Sequence, residues 1–165
     1  MPICLRPMRA DDAVWVRRFI WDHWGDDYVV AHGEVYYPHR LRGFVAASTE
    51  GTITGLATYH LQDLACELVT LNSTTEGKGI GTALLEAVRC MSEGLGCTRL
   101  WCVTTNDNLP ALRFYQKRGF RIVAIHRNAV EAARQLKPTI PLGGIDNIPL
   151  LDEIELELRP SSAPA

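Results

Sequence analysis

The run Glu76-Gly77-Lys78-Gly79-Ile80-Gly81 sets three alternating glycines and a lysine directly before a segment with the apolar period of a helix. A helix start carries unpaired N–H groups and the positive end of the helix dipole. Glycines ahead of it let the backbone curl until successive N–H groups point at one spot. That arrangement suits a phosphate. Two nucleotide motifs can be tested against it. A P-loop needs Gly-Lys followed by Ser or Thr, whereas Gly79 follows Lys78 here. The dinucleotide fingerprint needs G-x-G-x-x-G after a parallel strand, whereas the spacing here is G-x-G-x-G after the end of a meander. Neither motif fits, and the glycines taken alone also read as a plain tight turn.

Other reactive residue types exclude more than they assign. His23, His32, His39, His60 and His126 show no metal-ligand spacing, so no metal is expected. The five cysteines, Cys4, Cys66, Cys90, Cys97 and Cys102, form no C-x-x-C pair and read as buried reduced thiols. A formal charge of −2 gives no basic stripe for nucleic acid. No apolar run reaches the length of a membrane span. The opening "MPICLRPMRADD" lacks the apolar stretch of a signal peptide, so a cytoplasmic protein is expected.

The elements that must position these residues follow from the apolar patterning. The 165 residues make one domain of ordinary size, expected over 1–158, with a disordered tail over 159–165. "ICLRP" reads as an edge strand, and Asp11 or Asp12 can cap a helix carrying Val14, Val16, Phe19 and Ile20. Trp15, Trp21 and Trp24 in or beside it read as core and groove wall. "GDDYVVAHGEVYYPHR" shows no clear period and reads as a short helix plus a loop. Three meander strands follow, with a hairpin at "TEGT" and the third strand at "ACELVTLNS". The glycine run leads into a helix with the stripe Ile80, Leu84, Val88, Met91 and Leu95, stopped near Gly94. "TRLWCVTT" reads as a strand covered on both faces. "NDNLPALRFYQKRGF" reads as a helix capped by Asn108 and stopped by Gly119. "FRIVAIH" is another strand, "RNAVEAARQL" a short helix, and "DEIELEL" a last strand with its glutamates on a solvated face. The result is a mixed α/β fold with helices on the faces of a mostly antiparallel sheet.

The glycine run also resembles the pyrophosphate loop of the GNAT N-acetyltransferase superfamily, Gln/Arg-x-x-Gly-x-Gly/Ala. "NLPALRFYQKRGF" is similar to that family's later helix, with a capping Asn, an Ala, a Tyr, and Gly-Phe opening the next strand. "ICLRPMRADD" resembles its first strand and helix start, and the element order matches over nearly the whole chain. Two departures stand out. Glu76 occupies a position where the family prefers Gln or Arg, and the link from "ELVTL" to Glu76 is about two residues short of the family's usual length. The resemblance implies a sheet of about six to seven strands with a splayed parallel pair, "CELVTL" and "LWCVTT".

It further implies acetyl-CoA as cosubstrate, docked between those two strands. Its pantetheine arm would pair with the backbone of Val69 and Leu71. Its pyrophosphate would lie on the N–H groups of Gly77, Lys78, Gly79, Ile80 and Gly81, with Thr82 close by. A backbone N–H near Val69 would polarise the thioester carbonyl. Glu67 is the candidate base, directly or through water, and otherwise a solvated strand residue. Tyr115 is the candidate acid for the departing sulfur, and otherwise a core aromatic. Asn108 caps its helix and, like Asn106, is a candidate pantetheine contact. The acceptor would be a small-molecule amine or amino acid, with a protein N-terminus or lysine as the alternative, seated by the first helices and last strands, and neither nucleic acid nor membrane is expected as partner. A homodimer is compatible. An acyl-CoA-binding module without turnover is the alternative reading of the same motifs.

Overall fold

The computed structural model describes residues 2–160. Of the tail expected over 159–165, residues 161–165 lie outside the described residues. Strand β1 (Cys4–Pro7) leads through a 3-10 turn, Ala10–Asp12, into helix α1 (Ala13–Trp24). Asp12 fixes that corner. Its carboxylate accepts from the Arg6 guanidinium at 2.7 and 2.8 Å and from the Arg9 backbone N–H at 2.8 Å. The Arg6 bond, ahead of an opposing burial effect, holds the Asp12 carboxyl below its usual range. Val16, Phe19 and Ile20 turn inward, whereas Val14 is 81% exposed. Trp21 and Trp24 are exposed as well, so of the expected core and groove wall Trp15 packs inward, stacked on Phe19 at 4.8 Å, and Trp24 borders a cavity.

The stretch after α1 departs from the expected short helix plus loop. Val29–Ala31 (β2) and Glu34–Tyr36 (β3) form a separate two-stranded hairpin, followed by a 3-10 turn at Pro38–Arg40. Its turn places His32 at φ 42° and Gly33 at φ 83°. Strands this short show no legible alternation, and a histidine in the left-handed region is an uncommon turn signal.

The meander follows as expected: β4 (Arg42–Ala47), β5 (Ile53–Gln62) and β6 (Ala65–Ser73). Then come α2 (Ile80–Gly94), β7 (Arg99–Thr105), α3 (Leu109–Gln116), β8 (Arg121–His126), α4 (Ala129–Leu136) and β9 (Glu153–Leu158). The main sheet has seven strands in the order β1-β4-β5-β6-β7-β9-β8, and within it only β6 and β7 run parallel. The last strand therefore inserts between β7 and β8, leaving β8 at an edge with Ile122, Val123 and Ile125 exposed.

Strand alternation sends apolar side chains to both faces, and each face has its own core. On one, Ile80, Leu84, Leu85 and Val88 of α2 pack against Leu68, Leu100, Leu156 and Tyr115. On the other, Val16, Phe19 and Ile20 of α1 pack against Val29, Val45 and Leu56. The helix stripe of α2 holds through Met91 and ends before Leu95, which is exposed past the helix. The glutamates of β9 are not a solvated face. Glu153 is buried, and Glu155 and Glu157 both bond Arg99 of β7, because the insertion of β9 places them inside the sheet. Cys66, Cys97 and Cys102 are buried free thiols, while Cys4 and Cys90 are exposed.

Candidate active site

The parallel pairing of β6 with β7 is short. It covers Ala65↔Arg99, Cys66↔Leu100 and Glu67↔Trp101, although β6 continues to Ser73 and β7 to Thr105. Beyond Glu67 the two strands part. In the same stretch the register with β5 slips, so that Tyr59 faces Leu68 while Thr58 faces Thr70. Val69 is thus the extra residue of a bulge, with no partner on either neighbouring strand. A bulge breaks the ladder locally, so backbone donors beside Val69 can face the split.

On the α2 face, the glycine turn closes the end of this split. Gly77 and Gly79 take φ of 73° and 77°, a region that side chains avoid, and Gly79 is the N-cap of α2. A Cβ on either would meet no protein atom within 4 Å, so the space before the loop is open. Gly81 differs: its Cβ would stand 3.6 Å from Phe114, an ordinary contact. The expected nest therefore requires glycine at two positions rather than three.

A cavity of about 570 Å³ lies here, walled by Leu71, Gly77, Gly79, Thr82, Tyr115 and Arg118 among others. Ile80, Gly81 and Glu76 also border it, whereas Val69, Lys78, Asn106 and Asn108 do not. Lys78 is exposed. Arg118 was not legible from the sequence as a site residue. Its guanidinium donates to Thr82 Oγ1 at 2.6 and 3.2 Å and to the Phe114 carbonyl at 2.9 Å, and lies 3.7 Å from the Phe114 ring centroid. A fixed cation thus sits beside the α2 N-terminus. Spacing alone gave no signal for a partner 36 residues from Thr82.

Tyr115 is buried in the wall between Phe114 and Phe120, with ring centroids 5.2 Å from each. Its hydroxyl meets the Cys102 thiol of β7, and burial pushes the phenol well above its usual range. The phenol therefore stays protonated at neutral pH. Asn108 caps α3, accepting from the Ala111 N–H at 3.2 Å. Asn106 straps the chain instead. Its Oδ1 accepts from Leu151 and Asp152 N–H at 3.0 Å each, and its Nδ2 donates to the Pro149 carbonyl at 2.9 Å.

On the opposite face stands Glu67, 3% exposed. One oxygen is bonded to His32 Nε2 at 2.8 Å, and the other accepts from the Tyr36 hydroxyl at 2.7 Å. Glu67 is therefore no solvated strand residue. Both partners come from the β2–β3 hairpin. The bond to Glu67 raises the His32 pKa, with burial opposing it. Burial, then the Glu67 bond, pushes the Tyr36 phenol upward. His32 also donates its backbone N–H to Glu153 Oε2 at 3.0 Å and stands 5.0 Å from the Trp101 ring. His60 lies beside Tyr36 at 5.7 Å and lines a cleft with Glu67 and Trp101. Among the described residues, no group of three or more His, Cys, Asp or Glu is placed to hold a metal ion. No described helix is long and apolar enough to cross a membrane.

Comparison with known proteins places this geometry in context. Residues 10–120 match the model of the acetyltransferase (GNAT) family. The chain is 42% identical to the uncharacterized protein YxbD of Bacillus subtilis (strain 168), over 86% of this chain and 89% of that one. It is 32% identical to streptothricin acetyltransferase of Streptomyces lavendulae, over 48% of this chain and 44% of that one. Its fold resembles a Bacillus subtilis acetyltransferase solved in complex with CoA, with TM-score 0.68 and 20% identity, over 96% of this chain and 97% of that one.

Proposed function

The chain belongs to the GNAT acetyltransferase family, and on that premise we propose that it is an acetyl-CoA-dependent N-acetyltransferase acting on a primary amine of a small molecule. The observation that carries this reading is the parting of β6 and β7 beyond Glu67, with a glycine turn, helix N-terminus and Arg118 on one face and carboxylates on the other. The open positive-φ glycines and the fixed guanidinium suit the pyrophosphate of acetyl-CoA, and the adjoining cavity suits the rest of its length. Members of the fold have been solved with CoA, and the relative named for streptothricin supports a small-molecule acceptor.

In this reading the chain's residues divide the work. The backbone at Val69 and Leu71 holds the pantetheine arm, and an N–H beside the bulge polarises the thioester carbonyl. Asn106 and Asn108 hold the end of β7 and the start of α3, which frame the arm. The acceptor ammonium gives up one proton and the free nitrogen forms its bond to the acetyl carbon. The nitrogen then loses a second proton as the carbon–sulfur bond breaks. Glu67 passes these protons one at a time through water to solvent, and Tyr115 gives its proton to the departing sulfur and regains one from solvent. A net of one proton is released to solvent in each turnover.

The alternative, an acyl-CoA-binding module without turnover, draws on one observation: both Glu67 oxygens are already bonded within the protein. Incubating the protein with acetyl-CoA and pooled primary amines, and following free thiol, separates the two. Amine-dependent thiol release supports the enzyme. Binding of acetyl-CoA with no release above the protein-free rate supports the module.

A further inference from the structure

A second cavity of about 580 Å³ lies at the same end of the split, on the face of α1 and the hairpin. It is bordered by Trp24, Val29, Thr105, Val130, Leu150 and Glu153 among others. One hydrogen bond links the walls of the two cavities. Trp24 of this one donates its indole N–H to Asn72 Oδ1 at 3.0 Å, and Asn72 borders the α2-side cavity. Thr105 lies on the stretch of β7 that has parted from β6, and its register partner on β9 is Glu153.

Most of the wall is apolar, with Val29, Val130, Ala133 and Leu150 each less than a tenth exposed. Its charged groups are few, and all but one are spent. Lys137, 4% exposed, donates from Nζ to the carbonyls of Trp24 at 2.9 Å and Tyr28 at 3.0 Å. Asp107 accepts from Thr105 Oγ1 on one oxygen and from the Ile145 N–H, at 2.9 Å, on the other. Glu153 is 4% exposed, and only its Oε2 is bonded, to the His32 N–H. Its Oε1 has no hydrogen-bond partner among the described residues, and no cation forms an ion pair with it. His32 and His126 lie near enough to favour the charged form without bonding Oε1, so this oxygen is left for a bound cation. Burial raises the Glu153 pKa, with the His32 N–H opposing it.

Resting on the acetyltransferase reading above, we propose that this cavity is the acceptor subsite. It selects a compact monoamine with an apolar carbon skeleton, held as its ammonium by the free oxygen of Glu153. A single open anionic group matches one positive charge. The cavity is of the size that encloses a small molecule. Its mostly apolar wall, with His23, Thr105 and Thr139 as its uncharged polar side chains, offers too few partners to replace the hydrogen bonds of an amino sugar's hydroxyls or a peptide's amides. Glu153 thereby acts before the chemistry, as an anchor, while Glu67 takes the proton.

The test uses the full chain with phenethylamine, glucosamine and a short peptide with a free N-terminus. Wild-type protein saturated with acetyl-CoA should show a KM for phenethylamine at least ~10-fold below that for either other amine. Glu153→Gln, which keeps an oxygen for the His32 N–H, should raise that KM ~10-fold or more while kcat changes less than ~3-fold. Calorimetric titration of phenethylamine into CoA-loaded protein should show the same loss of affinity without turnover. A preference for the sugar or the peptide, an unchanged KM and affinity in Glu153→Gln, or a fall confined to kcat would each overturn the proposal. The shift in melting temperature given by acetyl-CoA keeps the two levels apart. If that shift is present and the amine results go the other way, only the acceptor assignment fails. If acetyl-CoA gives no shift, the acetyltransferase reading fails with it.

Discussion

Tyr115 borders the α2-side cavity between Phe114 and Phe120, with its phenol held protonated by burial. A group so placed can give a proton to a departing thiolate and remain neutral before the reaction. Tyr115→Phe should lower kcat ~10²-fold or more while the Kd of acetyl-CoA moves less than ~3-fold, measured by steady-state kinetics and titration. Glu67→Gln should likewise lower kcat and leave acetyl-CoA binding intact. Arg118 acts on the other side of that division. Its guanidinium is fixed by Thr82, the Phe114 carbonyl and the Phe114 ring, so its charge is already in place for a phosphate. Arg118→Ala should raise the Kd of acetyl-CoA by ~10-fold or more, with kcat at saturation little changed. Glu67 and Tyr115 were singled out in the sequence because their types and motif positions resemble the family's, and their catalytic roles are those proposed above. Arg118, His32 and Glu153 were not singled out as site residues. Their placement arises from contacts across 36, 35 and 121 residues of chain, and no local spacing encodes such contacts.

At the scale of elements, the glycine turn and the hairpin carry the site. Gly79 holds φ 77° at the first turn of α2, where open space lies in front of the backbone. Gly79→Val meets both a forbidden backbone region and the close approach of a phosphate. It should abolish the rise in melting temperature that acetyl-CoA gives by mass action. An unchanged shift would remove the loop from the cofactor site. The hairpin is tied down through His32, which faces Glu67, Glu153 and Glu34. Its pKa is raised in the folded chain, so the stabilisation is complete below the unfolded value of ~6.5 and is lost as pH rises through the folded value. Wild-type melting temperature should therefore fall with rising pH across that window. His32→Asn, which tolerates the left-handed backbone, should start lower and show a weaker dependence. The hairpin was the element least legible beforehand, since three-residue strands display no period.

For the molecule as a whole, the long elements were legible because their apolar spacing is strong. The α2 stripe, as far as Met91, and the meander strands buried their patterned faces as expected. The position of β9 was not. Alternating Ile154, Leu156 and Leu158 with glutamates describes an amphipathic strand at any place in a sheet. Its insertion between β7 and β8 turned an apparent solvent face into a bonded and partly buried one. That insertion puts Glu153 on the hairpin face with Glu67, opposite the α2-side cavity. The central claim is that an acetyl group crosses the split from sulfur to nitrogen. Acetyl-CoA labelled in its acetyl carbonyl, incubated with the protein and an accepted amine and followed by NMR, tests this directly. The label should leave the thioester and appear as the carbonyl of an N-acetyl amide, in step with free thiol. Label that stays on coenzyme A, or appears as acetate, would contradict the account.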